Sequence, residues 1–203
     1  MTAAAAWQAQ SLLLGYPDEE LLGRVGLLRR VCATVDGCVG DPLRRFLDHL
    51  ERAPLTELAA DYVATFDHRK RCCLYLTYYG HGDTRKRGMA LLALKQTYAA
   101  AGLRLTDEEL PDHLAVVLEY AATNPSDGAA LLAEHRAGLE ILRLALHDCH
   151  SPWADVLDSV SATLPPLAGD QRQAVARLAA QGPPAEQVGL APFAPPEYMG
   201  APR

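Results

Sequence analysis

Apolar residues spaced three and four apart recur along most of the chain, and each run predicts a helix with one face turned inward. Residues 3 to about 14 make the first run, closed by Gly15. Tyr16-Pro17-Asp18-Glu19-Glu20 then places proline and acids where a helix's first turn favours them. Leu21, Leu22, Val25, Leu28, Val31, Cys32 and Val35 follow as a core stripe, and Gly37 and Gly40 close it. The same start signal, an N-cap residue before proline at the first helical position, returns three times. It stands at Asp41-Pro42 before Leu43 to Leu50, at Asn124-Pro125 before Leu131 to Cys149, and at Ser151-Pro152 before Trp153 to Leu164. Thr106-Asp107-Glu108-Glu109 fits a capping box. The apolar run Met89 to Tyr98 predicts a helix that is apolar on two adjacent faces and therefore central. Leu74-Tyr75-Leu76-Thr77-Tyr78-Tyr79 is strand-like in composition, but no second strand candidate exists to pair with it, so it too reads as helix.

Short connections between helix-length runs predict an all-α, single-domain helical bundle over residues 1–181. From 182 to 203 the chain carries Pro183, Pro184, Pro192, Pro195, Pro196 and Pro202 and reads as a flexible Pro-rich C-terminal tail. Composition agrees with the bundle: 49% of residues are apolar, dominated by Ala and Leu, which favour helix over sheet. A formal net charge of −6 gives no electrostatic support to a nucleic-acid or anionic-membrane partner and suits a basic one. Five cysteines without framework spacing read as free thiols of a reducing compartment. With no basic n-region and no span-length apolar run, the expected location is cytoplasmic.

Chemistry concentrates between Tyr62 and Tyr120, where aromatic, acidic, basic and glycine residues crowd together. Phosphate loop, dinucleotide fingerprint and nucleophile elbow are all missing, so the residues read as non-catalytic. Arg85, Lys86 and Arg87 place three cations in a helix's first turn, against its dipole. Either nearby carboxylates neutralise them or they face something outside the chain. Gly82 and Asp83, with Arg85 and Arg87, form an anion or partner contact under the second alternative, a nucleotide or cofactor phosphate being the ligand. The bland reading is a tight turn between helices.

Metal is weighed at His68 with Cys72 and at His147 with His150, yet neither pair has the two further ligands a closed zinc site needs. The reading is therefore no metal. Cys72-Cys73 is adjacent, so a disulfide between them is strained and two small core-facing residues are the better account. Asp112 and His113 diverge by about 100° on a helix and do not make an acid/base pair. Together with Glu119 and Tyr120 they suit a peptide groove better than a reaction centre.

Asp61-Tyr62-Val63-Ala64-Thr65-Phe66-Asp67, Cys73-Leu74-Tyr75-Leu76, Gly80-His81-Gly82-Asp83-Thr84-Arg85-Lys86-Arg87-Gly88-Met89-Ala90-Leu91 and Glu109-Leu110-Pro111-Asp112-His113 through Glu119-Tyr120 closely resemble the NarJ family. These are the molybdenum-cofactor assembly chaperones, or delta subunits, of respiratory nitrate reductase, within the wider group of redox-enzyme maturation chaperones. Leu13-Leu14-Gly15-Tyr16-Pro17-Asp18 resembles the family's N-terminal signature. The resemblance implies an all-helical chaperone of nitrate reductase assembly that binds an unfolded segment, the N-terminus of the apo catalytic (alpha) subunit, alone or in the alpha–beta complex. It implies that the chaperone stably holds no cofactor itself, while its client receives bis-molybdopterin guanine dinucleotide and an iron–sulfur cluster before membrane attachment. It places the leader-peptide site at Leu110, Pro111, Asp112 and His113, with Phe66, Asp67, Leu76 and Tyr78 as the facing wall. Monomer and dimer both fit, and another molybdoenzyme as client is the alternative.

Overall fold

A computed structural model describes residues 3–106 and 109–184. The described chain is all-α, in the order α1 (Ala3–Leu13), α2 (Glu19–Cys32), α3 (Gly37–Arg52), α4 (Leu55–Phe66), a 3-10 turn (Lys70–Cys72), α5 (Leu76–His81), α6 (Arg85–Ala100), α7 (Leu114–Thr123), α8 (Pro125–Glu134), α9 (Arg136–Asp148), α10 (Ala154–Ala162) and α11 (Gly169–Gln181). Asp107 and Glu108 of the expected capping box, and the expected tail from residue 185 on, lie outside the described residues.

Several starts obey local chemistry. The Asp18 carboxylate accepts from the Leu21 amide at 2.8 Å and caps α2, which opens on Glu19 and Glu20. Pro125 opens α8, where its missing N–H costs nothing. The third helix departs from expectation. Its first turn forms when the Asp36 carbonyl accepts from the Val39 and Gly40 amides, so Gly37 opens α3 and Pro42 lies inside it. At the sixth position Pro42 is past the first turn, so it gives up the bond to the Cys38 carbonyl and crowds that group, a cost the helix carries. Gly40 is required there: a Cβ would lie 2.5 Å from the Cys32 carbonyl oxygen, which also accepts from Arg44 at 2.7 Å.

The run from Pro125 to Cys149, expected as one helix, bends at His135. The bend brings Gly138 of α9 against Tyr79, where a Cβ would be 2.8 Å from the tyrosine Cβ. It also sets the buried Arg136 to donate to the Ser161 carbonyl and hydroxyl at 3.2 and 3.0 Å. Glu140, buried on the next turn, pairs with Arg136 at 3.0 Å and Arg143 at 2.8 Å. These polar residues inside an apolar stripe clamp α9 to α10.

Trp153 is the hub of the core. Its ring stands 5.5 Å from Phe46, 5.6 Å from Tyr62 and 5.5 Å from Phe66, and its indole N–H donates to the Leu13 carbonyl at 3.2 Å. Such tilted and edge-on aromatic contacts add to area burial. Here they join α1, α3, α4 and the α10 start. α7 packs against α1 and α8, the latter closely enough that a Cβ on Gly128 would fall 2.2 Å from the Ala121 Cα.

Two expectations about the middle of the chain are corrected. α6 is peripheral: Leu94 and Tyr98 alone are buried on it, while Met89 is 69% and Leu92 48% exposed. Leu94 and Tyr98 form a small cluster with Tyr120 of α7, separate from the main core. Residues 74–75 are extended and have a partner after all. Tyr75 bridges His113 antiparallel, with Leu76 N–H donating to Asp112 O at 2.9 Å and Leu114 N–H to Leu74 O at 2.8 Å. The Leu110–His113 segment therefore precedes α7 instead of beginning it.

Candidate functional site

The bridge fixes the site's floor. It ties the extended Leu74–Tyr75 to the segment entering α7, and each of the two contributes side chains to one open cavity of about 390 Å³. Phe66, Asp67, His113 and Glu119, all among the expected site residues, line it. Tyr16, Tyr62, Leu74, Tyr75, Glu109 and Val116 line it as well. A second cavity of about 260 Å³ shares Glu109, Val116 and Glu119 with the first and extends the depression past Tyr120 to Tyr98 and Leu103. The two form one groove along α7, apolar on its floor and carrying Asp67, Glu109 and Glu119 as carboxylates.

Local bonds hold the groove's polar groups. The Tyr75 hydroxyl donates to Glu109 at 3.0 Å; burial, then this bond, push its pKa up to about 12. His113 lies edge-on to Tyr75 with ring centres 5.3 Å apart, and its Nε2 is 3.9 Å from Glu109. Burial lowers the His113 pKa, outweighing Glu109 and Asp112, so the imidazole is neutral at pH 7. Tyr16, half-exposed, leans edge-on against Tyr62 at 5.5 Å and forms the opposite lip.

The remaining expected site residues, apart from Tyr120, lie elsewhere. Asp112 is 0% exposed and faces inward. Its carboxylate accepts from the Thr77 amide at 3.2 Å and from the Thr77 hydroxyl, capping α5, and meets Arg87 at 3.6 Å. Pro111 and Leu76 are buried beside it, and the Pro111 carbonyl accepts from the Tyr98 hydroxyl at 2.7 Å. Asp112, Pro111 and Leu76 thus position the groove and do not line it. Leu110 is exposed beyond its edge, and Tyr78 packs against Tyr79 on α5. Tyr120 borders the second cavity while packing on Tyr98 at 4.8 Å.

The cationic turn is resolved in part. Arg87 turns inward to Asp112, to Asp83 at 3.8 Å and over the Tyr75 ring at 5.6 Å. Gly82, with φ +57°, ends α5, and the Thr84 hydroxyl donates to the His81 carbonyl instead of capping α6. The histidine and cysteine pairs separate too. His147 bonds Asp158 at 2.9 Å, His150 sits past the helix end at φ 55°, and Cys72 faces Cys149 instead of His68. Burial raises the Cys72 thiol to about 12, which keeps it protonated. Among the described residues no group of three His, Cys, Asp or Glu is placed to hold a metal ion, and no helix is long and apolar enough to cross a membrane.

Tyr16, Tyr62 and Glu109 line the cavity although the sequence pattern does not point to them as site residues. Tyr16 stands in the Leu13–Asp18 signature, which carries a signal, whereas Glu109 reads as part of a cap.

Comparison with known proteins identifies the family. NarX of Mycobacterium tuberculosis H37Rv, a nitrate reductase-like protein, is 41% identical over 158 residues, 77% of this chain but 24% of that longer protein. NarJ of Bacillus subtilis, named as a probable nitrate reductase molybdenum cofactor assembly chaperone, is 31% identical over 78% of this chain and 87% of its own. NarJ of Escherichia coli K12, named as such a chaperone outright, is 34% identical over 73% and 64%. The crystal structure of an Archaeoglobus fulgidus protein described as a redox enzyme maturation protein superposes with a TM-score of 0.63 at 22% identity, covering 80% of this chain and 93% of that one, and shares the all-α fold. The family model for the nitrate reductase delta subunit matches residues 34–158, taking in α3 through most of α10. On that match and the NarJ identities, this chain belongs to the nitrate reductase delta subunit family.

Proposed function

We propose that this protein is a non-catalytic assembly chaperone of a nitrate reductase, and that its groove along α7 receives the N-terminal segment of the apo catalytic subunit. The observation that carries the reading is the pair of adjoining cavities, which place apolar Phe66, Leu74 and Val116 beside the carboxylates of Asp67, Glu109 and Glu119. That arrangement suits an amphipathic segment with large apolar anchors and basic side chains between them.

Magnitudes divide the roles. Burying one Phe or Leu anchor contributes about 1.5–3 kcal/mol, whereas each solvated ion pair at the rim adds about 0.2–1 kcal/mol. Anchors therefore set affinity, and the carboxylates set orientation and the rate of encounter. Asp112 and Arg87 act behind the site, holding the bridge in place. The molybdenum cofactor and iron–sulfur cluster are acquired by the client while its N-terminus is held, in the cytoplasm and before membrane attachment.

Calorimetric titration with the catalytic subunit's N-terminal peptide tests this, with a scrambled peptide as control. Saturable binding of the native sequence alone is expected. Equal binding of both peptides, or none by either, refutes recognition through this segment, and a parallel titration with leaders of other molybdoenzymes separates a different client from no client.

A further inference from the structure

Where the 3-10 turn Lys70–Cys72 packs on the end of α9, an open cavity of about 340 Å³ lies apart from the groove along α7. Arg69, Lys70 and Arg71 line it, together with Asp148 and two thiols, Cys72 and Cys149. The thiols are unequal. Cys72 is 1% exposed and belongs to the main core, whereas Cys149 is partly buried, ends α9, and has its Sγ 3.5 Å from the Leu146 carbonyl. Cys72 faces Cys149 within hydrogen-bonding reach, while Cys73 turns away toward the Tyr75 carbonyl. Both members of the pair stand at the end of an element, where the backbone can take up the small shifts that disulfide geometry demands. Thiols that merely fill a core need neither a cavity opening on them nor three cations around its mouth.

We propose that Cys72 and Cys149 form a reversible disulfide by exchange with a small anionic disulfide, drawn into this cavity by Arg69, Lys70 and Arg71. Cys149, the more accessible of the two, attacks first as its thiolate. One sulfur of the reagent bonds to Cys149, the reagent's own S–S bond breaks, and its other half leaves as a thiolate. Cys72 then attacks the Cys149 sulfur of this mixed disulfide, and the second half of the reagent departs. The two cysteines lose two electrons and two protons; the reagent gains both and leaves as two thiols. Cys72 is protonated at the outset, and linking Cys149 removes two of the causes that keep it so; burial, the larger cause, remains and makes the second exchange the slow one. In a reducing compartment such a bond is transient and redox-sensing. It ties to α9 the segment that joins Asp67 to Leu74, two residues of the groove, and its formation does not depend on what the groove holds.

The test treats the folded, full-length protein with glutathione disulfide, a peptide disulfide that carries carboxylates. Free thiols are then alkylated, the chain is digested without reductant, and the peptides are weighed by mass spectrometry. The Cys72 and Cys149 peptides should be recovered linked, and should separate on reduction. Cys72→Ser should stop the reaction at a mixed disulfide on Cys149. Arg69→Glu with Arg71→Glu should slow linkage by glutathione disulfide about tenfold and leave linkage by the neutral hydroxyethyl disulfide unchanged. Equal slowing with both reagents overturns the part assigned to the cations. Recovery of both thiols free from the unaltered chain overturns the inference. So does a native product no richer in this pair than the mixture formed in urea, where the five cysteines pair at random.

Discussion

Asp112→Ala should destabilise the protein strongly, by removing the group that ties α5, α6 and the segment before α7 together. The carboxylate accepts from the backbone and hydroxyl of Thr77 and faces Arg87 at 3.6 Å, with no solvent exposure. Breaking a buried ion pair from one side costs about 3–5 kcal/mol, because the remaining charge is stranded. The Arg87 side chain keeps 21% exposure and has Asp83 at 3.8 Å, so water and that carboxylate relieve part of this, and the lower end, about 3 kcal/mol, applies. In a chain of this length, each kcal/mol lowers Tm by about 2–4 °C, giving a fall of about 6–12 °C. Asp112→Asn keeps an acceptor for Thr77 and loses the charge, so about half that fall is expected. Circular dichroism at 222 nm during heating, with urea titration at 25 °C, measures both variants. A change within about 0.5 kcal/mol, the ordinary range for surface substitutions, would refute the positioning role and return Asp112 to the surface of the site.

Gly128→Ala should cost about 1–3 kcal/mol by overpacking, since its Cβ would meet the Ala121 backbone at the α7–α8 crossing; urea midpoints measure this. Stability should also fall as pH drops from 7.5 through 6.5. His113 and His135 have pKa values lowered chiefly by burial, against the pull of Glu109 and Asp112 on the first and Glu134 and Asp112 on the second. Between those lowered values and 6.5 the unfolded chain binds more protons than the folded one, so protonation favours unfolding. Urea titrations at pH 7.5 and 5.5 should show a smaller difference for His113→Gln with His135→Gln than for the unaltered chain.

Legibility from sequence followed the range of the interaction. Asp18 and Pro125 announce their helices because a cap is decided within four residues. Pro42 reads as a helix start because proline favours the first position, whereas here the helix begins five residues earlier, and the Asp36 carbonyl that sets that start gives no side-chain signal. The pairing of Tyr75 with His113 spans 38 positions and consists of a single bridge, too short for an alternating pattern. α6 looked central because it is apolar on two faces, and periodicity cannot say whether an apolar face meets the core or stays in solvent. In the site, residue type drew attention to Asp112, whose partners are internal, while Tyr16 and Glu109 reach the groove through tertiary placement.

The central claim is that the groove along α7 receives a basic, amphipathic segment of the client, and Asp67→Lys with Glu119→Lys tests it most directly. Both residues are exposed, so the melting temperature should stay within about 2 °C of the unaltered chain, the usual reach of surface substitutions. Calorimetric titration with the catalytic subunit's N-terminal peptide should show affinity reduced about fourfold or more, since two reversals each replace an attraction of about 0.2–1 kcal/mol by a comparable repulsion. Unchanged affinity in a folded double variant would contradict the account and place the client elsewhere on the molecule.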